Sequence, residues 1–499
     1  MPVNGEPLAV IDIGSNSGRV LVVRLNALGH LDVLETEGTP LRLVHELSAS
    51  SYLNEAVVQR TLEALRGFMA IARGAGAERI MTVATAAVRE ASNGEQFVQR
   101  LRCETNLDIS IIPGDVEARY GFMGAVYGVP ATDGVLVDIG GGSVQLASFH
   151  NRASERSWSL PLGALRLSDR FLLSDPPTAG EQKRLEEYVR RSLKDADAPK
   201  LRAREVVIGT GGTIRNLAKL DRMRRDYPIP RLHGYVLARR EVADLAGRLA
   251  GQSAAQRAQM PGLNASRFDS IVGGALCLRI ILDALETSSM IVSGHGLREG
   301  IAASQVWSDL PSVGDVQRGA VDTLAARFAS FDRRLADERE QAAEAVRALL
   351  DPDVEPELAE ALCFAARLLD IGRSIDFYSR YEHTVSIVRG SDLSGFSHRA
   401  IALIGATVRL ADKSSGGIKP WAPLLSASDQ APLVRLGTIL ALADAIARQT
   451  PPDVTEPPRC VRDQYGLRVD APWLEPWPLQ AAVRRVQQVF AVPVRVNGR

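Results

Sequence analysis

The sequence predicts an α/β protein built on a duplicated unit: two similar lobes facing a common cleft, followed by a helical domain. Three observations carry this reading. Val-Ile-Asp-Ile-Gly at 10–14 returns as Leu-Val-Asp-Ile-Gly at 136–140. Apolar runs of strand character alternate with helical periodicity through both copies, and from about Pro311 onward the strand signals fade and helices dominate. The boundaries read as 1–130 for the first lobe, 131–308 for the second and 309–499 for the helical domain.

The first lobe opens on a hairpin, Leu8 to Ile13 and Val20 to Leu25. A helix is predicted from Ser51 to Arg73, with Val58, Leu62, Leu65, Met69 and Ala72 on one face and Gly74 ending it. Arg79 to Ala84 reads as a strand, Thr85 to Asn93 as a polar loop, Gly94 to Cys103 as a helix and Leu107 to Ile112 as a strand, with a helix starting near Asp115. The second lobe repeats the scheme with a hairpin from Val135 to Phe149. A long polar helix follows, opened by a Thr178 to Glu181 capping box. The strand Glu205 to Ile208 runs into Gly209-Thr-Gly-Gly-Thr213, and the helix Phe268 to Leu285 precedes the strand Ser289 to Ser293. Gly294-His295-Gly296 then leads into a helix near Leu297. The last domain reads as helices Val313 to Phe331, Asp337 to Leu350, Pro356 to Gly372, Ser397 to Ala411 and Ala431 to Arg448, with a short hairpin from Cys460 to Val469.

Composition narrows the function classes. Lys+Arg and Asp+Glu balance at 59 each, so a polyanion must be held by a local site rather than drawn in by a global field, which argues against bulk nucleic-acid binding. The 45% apolar content suits a soluble globular chain. Cys103, Cys277, Cys363 and Cys460 show neither disulfide spacing nor a Cys-x-x-Cys pair. With no leader-like N-terminus and no apolar run near the roughly 20 residues of a membrane helix, the expectation is a cytoplasmic protein.

The candidate chemistry sits at strand ends. Asp138 ends an apolar run and Gly140, Gly141 and Gly142 turn the backbone so that its N–H groups can meet an anion. A carboxylate beside an anion implies a cation between them, so Asp138 suggests Mg²⁺; a ligand-free tight hairpin is the other reading. Glu117, in the first turn of its helix, either meets the helix dipole or serves as the base that a hydrolase in this cleft would need. Arg89 either clamps a phosphate or pairs with Glu90 or Glu95, and Arg19 and Arg267 are weaker versions of the same idea. His295 is a ligand contact or a loop residue. No Gly-x-x-x-x-Gly-Lys-Ser/Thr loop is present, which excludes a P-loop NTPase.

Six motifs in this order resemble the exopolyphosphatase and guanosine pentaphosphate phosphohydrolase family: Asp12-Ile-Gly-Ser-Asn-Ser17, Thr85 to Asn93, Gly114 with Glu117-Ala-Arg-Tyr120, Asp138-Ile-Gly-Gly-Gly-Ser143, Gly209 to Thr213 and Gly296-Leu-Arg-Glu-Gly300. The resemblance covers about residues 8 to 305. It implies two duplicated actin-like (ribonuclease H-like) lobes of the actin and Hsp70 superfamily and Mg²⁺-dependent release of terminal phosphate from inorganic polyphosphate. By position, Glu117 becomes the base that activates water. Ser15, Asn16, Arg89, Gly141, Gly142 and Ser143 become phosphate contacts, joined by Gly211, Gly212, Thr213 and Arg267. Asp138, its repeat partner Asp12 and Gln145 are assigned to the metal. Family members usually carry Glu at the place of Gln145, so the metal site here loses one negative charge. The helical domain resembles a modified HD-type domain in which Leu369-Asp370 replaces the metal-binding His-Asp pair and His383 and His398 stand unsupported. Shaping a polyanion channel or a dimer interface is its expected role, and the family suggests a homodimer. Three other readings stay open: a guanosine pentaphosphate (alarmone) 5′-phosphohydrolase, an ATP-dependent actin-like kinase or ATPase, and a weakly active regulator that binds polyphosphate or alarmone.

Overall fold

The structure is a computed structural model that describes residues 5–25, 30–43, 51–412, 417–454, 456 and 458–497. The chain divides into two compact units, Met1–Asp226 with Leu232–Val316, and Tyr227–Arg231 with Gln317–Arg499.

The first unit holds two sheets with one topology. In the first sheet, β1 (Pro7–Ile13), β2 (Ser17–Leu25), β3 (Leu31–Pro40), β4 (Arg79–Ala84) and β5 (Ile109–Ile111) lie in the order β3-β2-β1-β4-β5. In the second, β6 (Gly134–Ile139), β7 (Val144–His150), β8 (Ala153–Leu160), β9 (Val206–Thr210), β10 (Tyr235–Ala238) and β11 (Ser289–Val292) lie in the order β10-β11-β9-β6-β7-β8. Each begins with three antiparallel strands and continues with two parallel ones, β10 being an added antiparallel edge. The sequence repeat is thus a repeat of topology. It extends to register, because Asp12 pairs with Arg19 and Asp138 with Gln145 at matching places.

β1 reads as a continuous apolar run because both of its faces are covered. Ala9, Ile11 and Ile13 pack with Val57, Leu62 and Leu65 of the helix Glu55–Gly74, whose N-cap Asn54 accepts the Val57 N–H. Leu8 and Val10, on the opposite face, pack with Ile301, Ala302 and Ala303. The helix Leu297–Ala303 therefore belongs to the core of the first sheet, although its place before residue 308 puts it in the second lobe by sequence; the chain returns to the first lobe after finishing the second sheet. A second connector, the helix Gly114–Tyr127, packs Val116 and Tyr120 under the first sheet and Phe122, Met123 and Val126 under the second. The stretch read as a polar loop at 85–93 contains a short helix, Ala86–Glu90.

The second unit is helical around one core, with a small sheet in which β12 (Arg459–Asp463), β13 (Gly466–Asp470) and β14 (Val494–Asn497) lie in that order. β14 adds a third strand to the expected hairpin, delivered in parallel by the helix Pro476–Phe490. The segment Ala427–Ala447 is long and apolar enough to cross a membrane by length and composition, which the sequence reading did not expect, but Leu433, Leu436, Ile439, Leu440 and Leu442 are buried in this core. Asp370, at the HD-like position, meets the Arg339 guanidinium, whose Nε also donates to Asp444 at 2.9 Å.

Candidate active site

The two hairpins make the same turn. The Gly14 N–H donates to the Ser17 carbonyl at 3.2 Å and the Gly140 N–H to the Ser143 carbonyl at 3.0 Å. Behind the second hairpin, the helix Ala164–Phe171 and its N-cap Gly163 turn their N–H groups onto the Gly140, Gly141 and Gly142 carbonyls. With its carbonyls held there, the loop offers its N–H side to the cavity, an arrangement suited to anions. The hairpins meet closely: a side chain on Gly141 would begin 3.4 Å from Asn16 Cβ. They share a cavity of about 160 Å³ with Asp12, Asp138, Gln145, Glu117 and Ser15 on its lining.

Glu117 reaches this cavity because two helices cross at backbone contact. A Cβ on Gly124 would fall 1.9 Å from the Gly296 carbonyl oxygen, and one on Gly300 would fall 1.7 Å from that of Tyr120. Only glycines permit the helix Gly114–Tyr127 to cross the helix Leu297–Ala303 so closely. The crossing brings Glu117, Arg298 and Glu299 to one wall. Glu117 Oε2 accepts from Arg89 Nη1 at 3.0 Å, and the same Nη1 donates to the Ile112 carbonyl at 2.7 Å. Arg298 donates to the Val20 carbonyl at 3.0 Å, and Glu299 Oε2 caps its own helix by accepting the Gly296 N–H.

Burial shifts several of the charged groups on this cavity. Burial pushes Asp12 up to about 7, with Glu117 adding to the effect and Arg298 opposing it. Burial also raises Asp138 and Glu117; Arg215 and Arg267 oppose it at the first, Arg89 at the second. Burial, then repulsion from Arg215, Arg298 and Arg267, brings Arg19 down to about 10, and Arg267 falls to about 10 from burial and Arg215. Glu299 is held low because Arg298 and His295 outweigh the strong upward effect of burial.

These residues fit Mg²⁺. A hard cation takes oxygen ligands, commonly one or two carboxylates with water and substrate phosphate completing the shell. Asp12 and Asp138 are half-buried carboxylates on the cavity, and Asp12 Oδ1 is itself buried with no hydrogen-bond partner among the described residues. Gln145, opposite Asp138, donates its amide nitrogen to Ser143 Oγ at 2.8 Å, leaving the amide oxygen as its possible ligating end. No group of three His, Cys, Asp or Glu among the described residues forms a full protein cage.

The cavity gathers Ser15, Asn16, Gly141, Gly142, Ser143, Gly211 and Arg267 with the residues above. Three expected phosphate contacts lie off it. Thr213 is 1% exposed and packs against Gly274. Gly212 serves instead as a seat for Arg267, since a Cβ there would fall 2.1 Å from its guanidinium. Arg89 is committed to Glu117 and Ile112, because the short helix Ala86–Glu90 carries it behind the carboxylate. His295 stacks on His233 with ring centroids 4.4 Å apart. Arg215, Arg298 and Glu299 were missed as individual site residues, although Arg298 and Glu299 stand within the Gly296 to Gly300 motif. Arg215 follows the Gly209 to Thr213 turn by two residues and donates to the Gly294 carbonyl at 2.8 Å.

Known proteins resemble this chain in sequence and in fold. Residues 21–308 match the Ppx/GppA phosphatase family, and residues 320–483 match Ppx/GppA phosphatase, domain III. Exopolyphosphatase 1 of Mycobacterium leprae is 30% identical over 320 residues, 63% of this chain and 94% of that protein. Its namesake in Mycobacterium tuberculosis (strain ATCC 25618 / H37Rv) is 29% identical over 320 residues, 63% of this chain and 93% of that protein. The crystal structure of the Aquifex aeolicus Ppx/GppA family member superposes with a TM-score of 0.53 at 29% identity, covering 60% of this chain and 97% of its own. An exopolyphosphatase from Cytophaga hutchinsonii gives a TM-score of 0.56 at 25% identity, covering 60% of this chain and 97% of its own. The chain belongs to the Ppx/GppA phosphatase family, with a two-lobed actin-like core and the C-terminal helical domain III.

Proposed function

We propose that this protein is an exopolyphosphatase that releases terminal orthophosphate from inorganic polyphosphate with the help of Mg²⁺. The observation that carries the reading is the placement of Glu117, a half-buried carboxylate facing a cavity lined by two hairpin loops and four arginines. In this reading the terminal phosphate rests on the N–H groups of Gly141, Gly142 and Ser143, with Ser15 and Asn16 opposite. Arg19, Arg215, Arg267 and Arg298, which repel one another, offset the charge of the incoming chain. Glu117 orients a water in line with the terminal bond and takes its proton as the new P–O bond forms and the shortened chain departs. Mg²⁺ held by Asp12, Asp138 and the Gln145 amide oxygen would neutralise charge developing on the phosphoryl oxygens. Polyphosphate is favoured over guanosine pentaphosphate because the lining is charged groups, hydroxyls, the amides of Asn16 and Gln145, and glycines, with Ala86 and Leu297 its apolar side chains. A nucleobase subsite calls for an apolar or aromatic surface.

The test is phosphate release with Mg²⁺ from long-chain polyphosphate, guanosine pentaphosphate and ATP, wild type against Glu117→Gln. Polyphosphate should be cleaved, and the variant should lose roughly 10²- to 10⁴-fold in turnover while still binding the chain. A Glu117→Gln protein with unchanged turnover removes the mechanism. Tight polyphosphate binding by a wild type that cleaves none of the three would replace it with the regulator reading, in which Gln145 has disabled the site. Turnover of guanosine pentaphosphate or ATP alone would reassign the substrate.

A further inference from the structure

We infer that Arg89 is a positioning residue that holds the catalytic carboxylate of Glu117, and is not a clamp on the substrate. The inference rests on the proposed role of Glu117. Arg89 does not line the cavity. Its Nη1 makes two bonds at once, to Glu117 Oε2 at 3.0 Å and to the Ile112 carbonyl at 2.7 Å. Ile112 immediately precedes the Pro113 N-cap of the helix bearing Glu117. One guanidinium nitrogen thus ties the backbone just ahead of the helix to the carboxylate in its first turn. The pair is largely buried, with side-chain exposures of 30% and 17%. The helix Ala86–Glu90 supplies the support: Ala86, Ala87 and Val88 are buried, and the Val88 and Arg89 N–H groups both donate to the Thr85 carbonyl. Arg89 therefore stands on a packed turn at the back of Glu117. The neighbouring Glu90 is paired elsewhere, to Arg166 at 2.9 Å.

The chemistry follows from which carboxylate oxygen is used. With Oε2 bound to Arg89, the carboxylate has one oxygen left to accept a proton from water, in a fixed direction. Without Arg89 the side chain can rotate, and burial favours its protonated form, which cannot act as a base. A phosphate clamp would instead contribute to binding the chain.

Two measurements separate these roles. In otherwise wild-type protein, Arg89→Met should lower kcat on polyphosphate by roughly 10- to 100-fold with KM changed by less than about threefold, and Arg89→Lys should recover part of the loss. In the Glu117→Gln background, where the carboxylate is already gone, adding Arg89→Met should leave both residual turnover and the polyphosphate Kd within about threefold. Tenfold weaker chain binding in the double variant, or a loss that multiplies fully with that of Glu117→Gln, would overturn the inference and restore the clamp. Thermal melts identify a variant that fails to fold, and in that case the Arg89→Lys kinetics and Kd decide by the same criteria. Failure of the underlying reading looks different: Glu117→Gln alone would then keep wild-type turnover.

Discussion

The cleft and the helical unit both bury arginines and aspartates, and they leave them in opposite states. In the helical unit Arg339 and Asp444 are each 1% exposed and bonded at 2.9 Å, and Arg380 donates to the same aspartate at 2.8 Å. Arg339 also holds Asp370 and donates to the Ala366 carbonyl. Burial alone would raise Asp444, but Arg339, Arg448 and Arg380 together hold it below the usual carboxylate range. In the cleft the same residue types are left short of partners. Asp12 rises to about 7, Asp138 rises, and Arg19 and Arg267 fall to about 10. Buried charge persists where it is answered, and where it is answered only in part, the perturbed carboxylates and arginines mark a candidate site. One cluster is settled structure; the other is the candidate site.

Exchanging a carboxylate for its amide in each region breaks this comparison most directly. Asp444→Asn should destabilise its unit by about 3–5 kcal/mol, because Arg339 and Arg380 lose their shared buried partner. Asp138→Asn should do the reverse. It removes a charge whose burial Arg215 and Arg267 offset only in part, so its melting temperature should hold or rise while phosphate release falls by roughly 10²-fold or more. Denaturant melts and turnover of the two variants decide the matter, and a cleft variant that unfolds with full specific activity would reverse the assignment.

Mg²⁺ should sharpen the contrast by a smaller amount, with a definite sign. The folded pKa of Asp12, about 7, lies above its ordinary 3.8, so this carboxyl contributes stability that is complete below about pH 4 and is lost as pH rises through 7. The cation competes with that proton. At one fixed Mg²⁺ concentration, chosen near a hundredfold excess over Kd at pH 8 where the gain in stability is about 2.7 kcal/mol, the gain should therefore be smaller at pH 6. Asp444 carries the opposite sign, since its depressed pKa makes its contribution fade as pH falls. Equal Mg²⁺ increments at both pH values would argue against Asp12 as a ligand.

The duplicated core was legible because its signal is local. Asp12 and Asp138 each close an apolar strand ahead of a turn, and the repetition of that pattern exposes the hairpins without any knowledge of their packing. The placement of Glu117 in the first turn of a helix after a strand was legible as well, although that position alone favoured a helix-dipole role over a catalytic one. What sequence hid depends on contacts between distant segments. Nothing around Arg298 or Glu299 announces that Gly300 will rest on Tyr120 and carry both residues into the cleft. The partner of Arg89 lies on a different element, 28 positions away. The edge strands β3 and β8 were overlooked because their residues are mostly exposed, so no apolar alternation marks them. Leu369-Asp370 was read as a metal-binding pair that had lost its His, but the guanidinium partner of Asp370, Arg339, comes from another helix.

Gln145 offers the finest test, because one substitution there should move two quantities in opposite directions. It faces Asp138 across an antiparallel pair, where directly opposed side chains lie about 5 Å apart at Cβ. Gln145→Glu places a second carboxylate beside one that burial already keeps above its normal range, and removes the amide donor to Ser143 Oγ. Without metal the two like charges repel, so the variant should melt below wild type and the gap should widen as pH rises. With Mg²⁺ the added charge becomes a ligand, and affinity should improve roughly tenfold, about 1.4 kcal/mol. Calorimetric titration with Mg²⁺ and melts with and without the cation measure both effects. Weaker Mg²⁺ binding by the variant would show that position 145 points away from the cation and that the Asp138–Gln145 pair serves the hairpin alone.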